Sequence, residues 1–179
     1  EKALKEWAYD FVIGPMADLS KNVDYDLMYR DFYVLVVPKR YDLETYAEYG
    51  EQGSFPVIDM KKLPPMDYIF QDETTFVRKG SIAPRLVVTS STLALQAAEN
   101  GFGCCIVSTG HLAYLNQSAN LKVYLIKGEE TSSCGVAYLH NKIFSEEEKC
   151  CIALIRRALR EGEKKIMQRF GTWEMKERE

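Results

Sequence analysis

Four short stretches of this chain each stand directly behind an apolar run. Pro15 and Met16 follow DFVIG, Asp72 to Thr75 follow YIF and the adjoining glutamine, Thr89 to Ser91 follow RLVV, and Ser108 and Thr109 follow CCIV. The set is rich in hydroxyls and poor in acids and bases. Such groups hold a polar molecule by hydrogen bonds, and a hydroxyl needs an adjacent base before it can act as a nucleophile. The candidate ligand-binding residues are therefore Pro15, Thr74, Thr75, Ser90, Ser91, Ser108 and Thr109. Ser90 and Ser91 have two compatible uses. One hydroxyl can cap a following helix by accepting from its unpaired first-turn N–H groups, while its neighbour and the remaining N–H groups receive an anionic or polar ligand.

Catalytic patterns are missing. There is no GxSxG and no Walker loop. Gly101-Phe102-Gly103 lacks the third glycine of a dinucleotide fingerprint and precedes a strand, where the fingerprint would follow one. Asp72 and Glu73 are neighbours on an extended chain, so their carboxylates point opposite ways and do not flank one bond. No nucleophile, base and orienting group are spaced as an acyl- or phosphoryl-transfer site requires. The expectation is a protein that is not an enzyme and carries no cofactor. Five cysteines, at 104, 105, 134, 150 and 151, form no complete disulfide framework. Two of the groups are adjacent pairs, unlike the spacing of two to four between zinc-binding thiolates. They read as buried apolar cysteines in a reducing compartment, with no metal site. His111 and His140 read as surface or hydrogen-bonded residues.

The 179 residues are 46% hydrophobic and 27% charged, with a net charge of −3. This is the composition of a globular protein with room for one domain or two small lobes. An acidic balance without a basic stripe does not suit direct gripping of nucleic acid. No apolar run approaches the ~20 residues of a membrane span, and Glu1 to Trp7 lacks the apolar core of a signal peptide. The expected location is the cytoplasm.

Stepping along the chain, Leu4 to Tyr9 reads as the end of a helix. Strands are expected at Asp10–Gly14, Phe32–Val37, Tyr68–Phe70, Arg85–Thr89, Gly103–Val107, Val123–Ile126 and Gly135–His140. Their apolar, β-branched runs suit strands buried on both faces. Asp59 to Leu63 allows one helical turn before Pro64 and Pro65. Helices are expected at Thr92–Asn100, with Leu93, Ala97 and Ala98 as its apolar face and Gly101 as its left-handed end. Others are expected at His111–Asn116 and in a long run after Ser145. There Glu148 completes a capping box, and Ile152, Ile155, Leu159, Ile166 and Phe170 recur at helical spacing. Alternating strands and helices imply an α/β fold with a largely parallel sheet. Ligands of such sheets sit outside the carboxyl ends of the strands, where the hydroxyl-rich stretches fall.

Three segments, read in order, resemble the effector-binding domain of LysR-type transcriptional regulators. They are Tyr9–Pro15 with Leu27–Pro38 (YDFVIGP, LMYRDFYVLVVP), Pro84–Val107 (PRLVVTSSTLALQAAENGFGCCIV), and Val136–Leu159. The resemblance implies a two-lobed, type 2 periplasmic-binding-protein-like α/β fold with two crossover strands, Tyr33–Val37 and Cys134–Tyr138. Lobe I would be residues 1–34 and 134–179, and lobe II residues 35–133. A small-molecule effector would lie in the cleft between them and shift their arrangement. The family's first strand and its winged helix-turn-helix are not represented in the sequence. The resemblance implies a homo-dimer or tetramer that meets DNA only through that helix-turn-helix, with no membrane contact. Two other classes share the scaffold. A stand-alone solute-binding protein of a transport system would need a signal peptide. An enzyme of the dehydratase or deaminase kind would need an acid/base constellation.

Overall fold

The computed structural model describes residues 4, 6, 8–15, 20–50, 52, 54–71, 83–115, 120–130 and 134–171. Among these are ten strands, β1 (Val12–Pro15), β2 (Val23–Tyr29), β3 (Phe32–Pro38), β4 (Ala47–Glu48), β5 (Val57–Ile58), β6 (Tyr68–Gln71), β7 (Leu86–Val88), β8 (Cys104–Ser108), β9 (Leu121–Glu130) and β10 (Cys134–Leu139). Two α-helices accompany them, α1 (Ser91–Glu99) and α2 (Glu146–Phe170). The chain divides into two compact units, residues 1–31 with 130–164, and residues 32–129 with 165–179.

The first unit is built on a three-stranded sheet in the order β1-β10-β2. Both pairings are antiparallel, with Val12 opposite Ala137 and Val23 opposite Leu139. The expectation of a largely parallel sheet is corrected here. β2 was not read from the sequence, although its VDYDL stretch alternates apolar and polar residues at the period of a strand. Leu4, Val23 and Ala137 form a small buried cluster joined by Val12, Tyr25 and Leu139. Tyr25 lies across Gly135, where a Cβ would come within 2.4 Å of its ring and 2.5 Å of the Asp26 carbonyl oxygen. The capping box of α2 forms as expected: the Ser145 N–H donates to Glu148 Oε2 at 2.7 Å, and the Glu148 N–H donates to Ser145 Oγ at 3.2 Å. Arg156 of α2 is ion-paired with Asp26 of β2. Ile152, Ile155 and Leu159 are only half-buried, and Cys150 and Cys151 are exposed. The reading of all five cysteines as buried fails for this pair, which lies on the solvent side of the helix. Cys104 and Cys105 are buried, and Cys134 is intermediate.

The second unit holds a seven-stranded sheet in the order β4-β5-β9-β3-β8-β6-β7. β6 runs parallel to both β7 and β8, whereas β3 is antiparallel to β8. Alternation along the strands separates two cores. One face carries Leu35, Val37, Tyr68, Phe70, Cys104, Ile106, Tyr124 and Ile126 with Leu43 and Ile58. Near it Phe55 stacks on Phe170, with ring centroids 6.2 Å apart. The other face presents Val34, Val36, Ile69, Cys105 and Val107, all buried, toward α1. α1 turns Ser91, Ala94, Leu95 and Ala98 inward and leaves Leu93 47% exposed. Its buried face is thus rotated from the Leu93, Ala97, Ala98 face read from sequence. Small side chains at 94 and 98 let the helix sit close to the sheet. The helix ends in a Schellman motif: Phe102 N–H donates to the Ala97 carbonyl and Gly101 N–H to that of Ala98, with Gly101 at φ 77°.

Candidate functional site

β6, β7 and β8 are mutually parallel, so their carboxyl ends reach one edge of the seven-stranded sheet. Gln71, the last residue of β6, is in register with Val88, the last of β7. Continuing the Ile69–Cys105 register places Gln71 beside Val107. Ser108, the last of β8, lies opposite Tyr33 near the start of β3. The chain leaves β7 through Thr89 and Ser90 and enters α1 at Ser91, so the helix opens at this same edge.

Four of the sequence-derived site residues meet here, each with a defined hydrogen bond. Ser90 is the N-cap of α1 and its Oγ accepts from the Leu93 N–H at 3.3 Å. Ser91 is 6% exposed and its hydroxyl donates to Gln71 Oε1 at 2.5 Å, pinning the helix start to β6. Thr109 is fully buried and its Oγ1 accepts from the Phe32 N–H at 3.2 Å, which closes the edge next to β3. Ser108 Oγ is 2.8 Å from His111 Nδ1. Residues 109–114 form a 3-10 helix, rather than a loop followed by a helix from His111 as the sequence suggests. The tight turn is what swings His111 back over Ser108. Pro15 ends β1 in the other unit, opposite Cys134. Thr74 and Thr75 lie outside the described residues.

Gln71 and His111 were not among the residues singled out from sequence. Gln71 carried a readable signal, a lone amide closing the apolar run YIF. His111 carried none, because only the 3-10 turn brings it to the strand end.

The edge is a donor-rich surface. The first-turn N–H groups of α1 have no acceptor within the helix, and the helix dipole makes this end favourable to negative charge. Hydroxyls and an imidazole surround it, and residues 71, 89–92 and 108–111 contain no carboxylate. Ser108 occupies His111 Nδ1, the ring position at which an orienting carboxylate stands in a hydrolase triad. The contact holds the imidazole against the end of β8. Behind the edge, burial pushes the Cys104 thiol up to about 12 and Cys105 higher still, so both are neutral packing groups.

No protein-family model and no curated protein sequence matches the chain. Solved structures do. OxyR from Corynebacterium glutamicum, in a cysteine-mutant form, superposes with a TM-score of 0.67 at 16% identity, covering 97% of this chain and 55% of that one. The regulatory domain of CcmR from Synechocystis, in complex with 2-PG, gives 0.63 at 16% identity over 88% and 77% of the two chains. The fold is that of the LysR-type effector-binding domain. A further LysR-type example, the effector-binding domain of QuiR with shikimate, gives 0.55 at 22% identity over 91% and 76%. The chain spans about half the length of the LysR-type regulators it matches, 56% of HinK from Pseudomonas aeruginosa and 55% of the OxyR chain. Among the described residues, no helix is long and apolar enough to cross a membrane.

Proposed function

We propose that this chain is the ligand-sensing part of a LysR-type transcriptional regulator, binding a small polar or anionic metabolite without transforming it. The carrying observation is the strand-end edge at Gln71, Ser90, Ser91, Ser108 and His111, where a helix N-terminus and hydroxyls converge with no carboxylate among them. The same fold in QuiR and CcmR accompanies shikimate and 2-PG, which supports reading this edge as a receiving surface. Thr74 and Thr75 remain part of the proposed site, and Pro15 remains a proposed ligand-binding residue of the first unit. The compact units at 1–31 with 130–164 and 32–129 with 165–179 lie close to the proposed lobes, residues 1–34 with 134–179 and residues 35–133, except that residues 165–179 group with the second. In the whole protein, a cytoplasmic dimer or tetramer would carry DNA contacts on a separate helix-turn-helix. A ligand controls such an assembly only by binding two arrangements unequally. Leu86 and Val87 on the edge strand β7 are 39% and 48% exposed, and Leu93 of α1 is 47% exposed. These exposed apolar side chains support pairing with a second copy.

The test is a thermal-shift and calorimetric screen with small carboxylates, phosphoesters and polyols, shikimate and 2-PG among them. A binder is expected whose affinity falls at least tenfold in Ser91→Ala or His111→Ala. Binding that ignores both substitutions, or turnover of the ligand, would overturn the reading. Sedimentation at tens of micromolar tests the pairing, with monomer alone counting against it.

A further inference from the structure

We propose that the last turn of α2 serves the strand-end edge, with Arg169 as a positioning residue that holds in place the turn carrying His111. The inference deepens the ligand-sensing reading and rests on it, since a pre-set imidazole matters only where the edge receives a ligand.

The turn needs support from outside itself. Residues 109–114 form a single 3-10 helix of six residues. Such runs seldom exceed three or four residues, because their hydrogen bonds are poorly aligned. At its start, Thr109 Oγ1 accepts from the Phe32 N–H at 3.2 Å, which ties it to β3. At its end stands Leu115, whose N–H donates to the Leu112 carbonyl at 3.2 Å. Leu112 and Leu115 are both buried, at 1% and 7% exposed. Between the two ends lies His111, with Nδ1 2.8 Å from Ser108 Oγ. The imidazole keeps this place only while the turn stays wound.

Arg169 supplies the second tie. Its Nη1 donates to the Leu115 carbonyl oxygen at 2.7 Å. A basic residue in the last turn of a helix ordinarily serves the carbonyls and dipole of its own helix. This one reaches a carbonyl 54 residues away in the sequence, at the point where the 3-10 turn ends. A hydrogen bond from an ionised donor is roughly twice as strong as a neutral one, and the guanidinium keeps its proton at any working pH. The arginine is itself held. Its guanidinium carbon is 4.7 Å from the centroid of the Phe170 ring, and that ring stacks on buried Phe55. Ile166 is buried one turn earlier, and the Gly171 N–H closes the helix on the Met167 carbonyl at 3.0 Å. All these residues belong to the second unit.

The experiment compares the unliganded 179-residue chain with Arg169→Ala, Arg169→Met and Arg169→Lys. One readout is amide hydrogen exchange at Leu115, whose N–H closes the turn. It is expected to run about tenfold faster in the alanine and methionine variants, while Ile106 of β8 exchanges as before. The other readout is the pair of imidazole nitrogen shifts of His111 by NMR. Ser108→Ala defines the shifts of a ring without its partner. Arg169→Ala should move His111 toward them and leave His140 unmoved. Arg169→Lys keeps a charged donor and should restore both signals at least in part; no restoration counts against the proposal. Methionine keeps an apolar stem without donors, so wild-type signals in Arg169→Met would show that packing holds the turn, and overturn it. Unchanged His111 shifts in Arg169→Ala overturn it as well, as does exchange at Ile106 accelerated as much as at Leu115. Both readouts are taken without ligand. A ligand screen that finds no binder leaves them intact, and their failure leaves the ligand-sensing reading standing.

Discussion

Ser91→Ala probes whether the strand-end edge is a built polar junction. Ser91 is 6% exposed and its hydroxyl donates to Gln71 Oε1 at 2.5 Å across two elements, α1 and β6. A hydrogen bond of this kind contributes a net ~0.5–1.5 kcal/mol, and stranding a buried acceptor costs ~1–3 kcal/mol. Alanine in the first helical turn regains about 0.5 kcal/mol of helix propensity. Gln71 is half-buried, so water recovers part of its loss. The expected destabilisation of Ser91→Ala is therefore about 1–2 kcal/mol. Gln71→Ala removes the same bond from the other side. In a double-mutant cycle, the two changes together should cost about 1 kcal/mol less than their sum. Urea unfolding followed by far-ultraviolet circular dichroism supplies the four free energies. If the two effects add to within ~0.3–0.5 kcal/mol, the residues are energetically independent. The junction would then be no more than a contact, and the edge would lose its claim to be pre-organised.

Gly101→Ala should destabilise by about 1 kcal/mol, read in the same urea assay. Its φ of 77° penalises a side chain although the space around it is open. Gly135→Ala should cost far more, because its Cβ would meet the Tyr25 ring and the Asp26 carbonyl oxygen. Adding Tyr25→Ala should not restore stability, since the backbone clash persists; full rescue would refute this account. Alkylation at pH 8 followed by mass spectrometry should modify Cys150 and Cys151 first and spare Cys104 and Cys105 in the native protein, because burial keeps those thiols neutral. Their raised values also mean that the folded state loses stability as pH rises above 9, the ordinary thiol value here, toward 12. A melting temperature flat across that range would contradict it. The isolated chain should show no salt-dependent affinity for duplex DNA, given its net charge of −3, and micromolar binding at low salt would refute that.

Local chemistry made much of this legible. The apolar runs at Phe32–Val37, Tyr68–Phe70 and Gly103–Val107 announce strands because burial on both faces removes any need for polar alternation. Ser90, Gly101, Ser145 and Glu148 mark helix ends because capping acts over three or four residues of sequence. The hydroxyls of Ser90, Ser91, Ser108 and Thr109 were visible for the same reason, since each follows the end of its own strand. Which of those groups is consumed by the fold was not visible. Thr109 closes on the N–H of Phe32 and Ser91 on Gln71, separations of 77 and 20 residues that only strand order brings together. The antiparallel β1-β10-β2 sheet, the rotation of α1 onto Ala94 and Ala98, and the pairing of Asp24 with His140 are likewise long-range outcomes. The sequence determined where the chain turns and what each turn offers, because those are decided by neighbours. Tertiary structure alone decided which offers are already taken, because a hydrogen bond across a sheet depends on register between segments that no local pattern encodes.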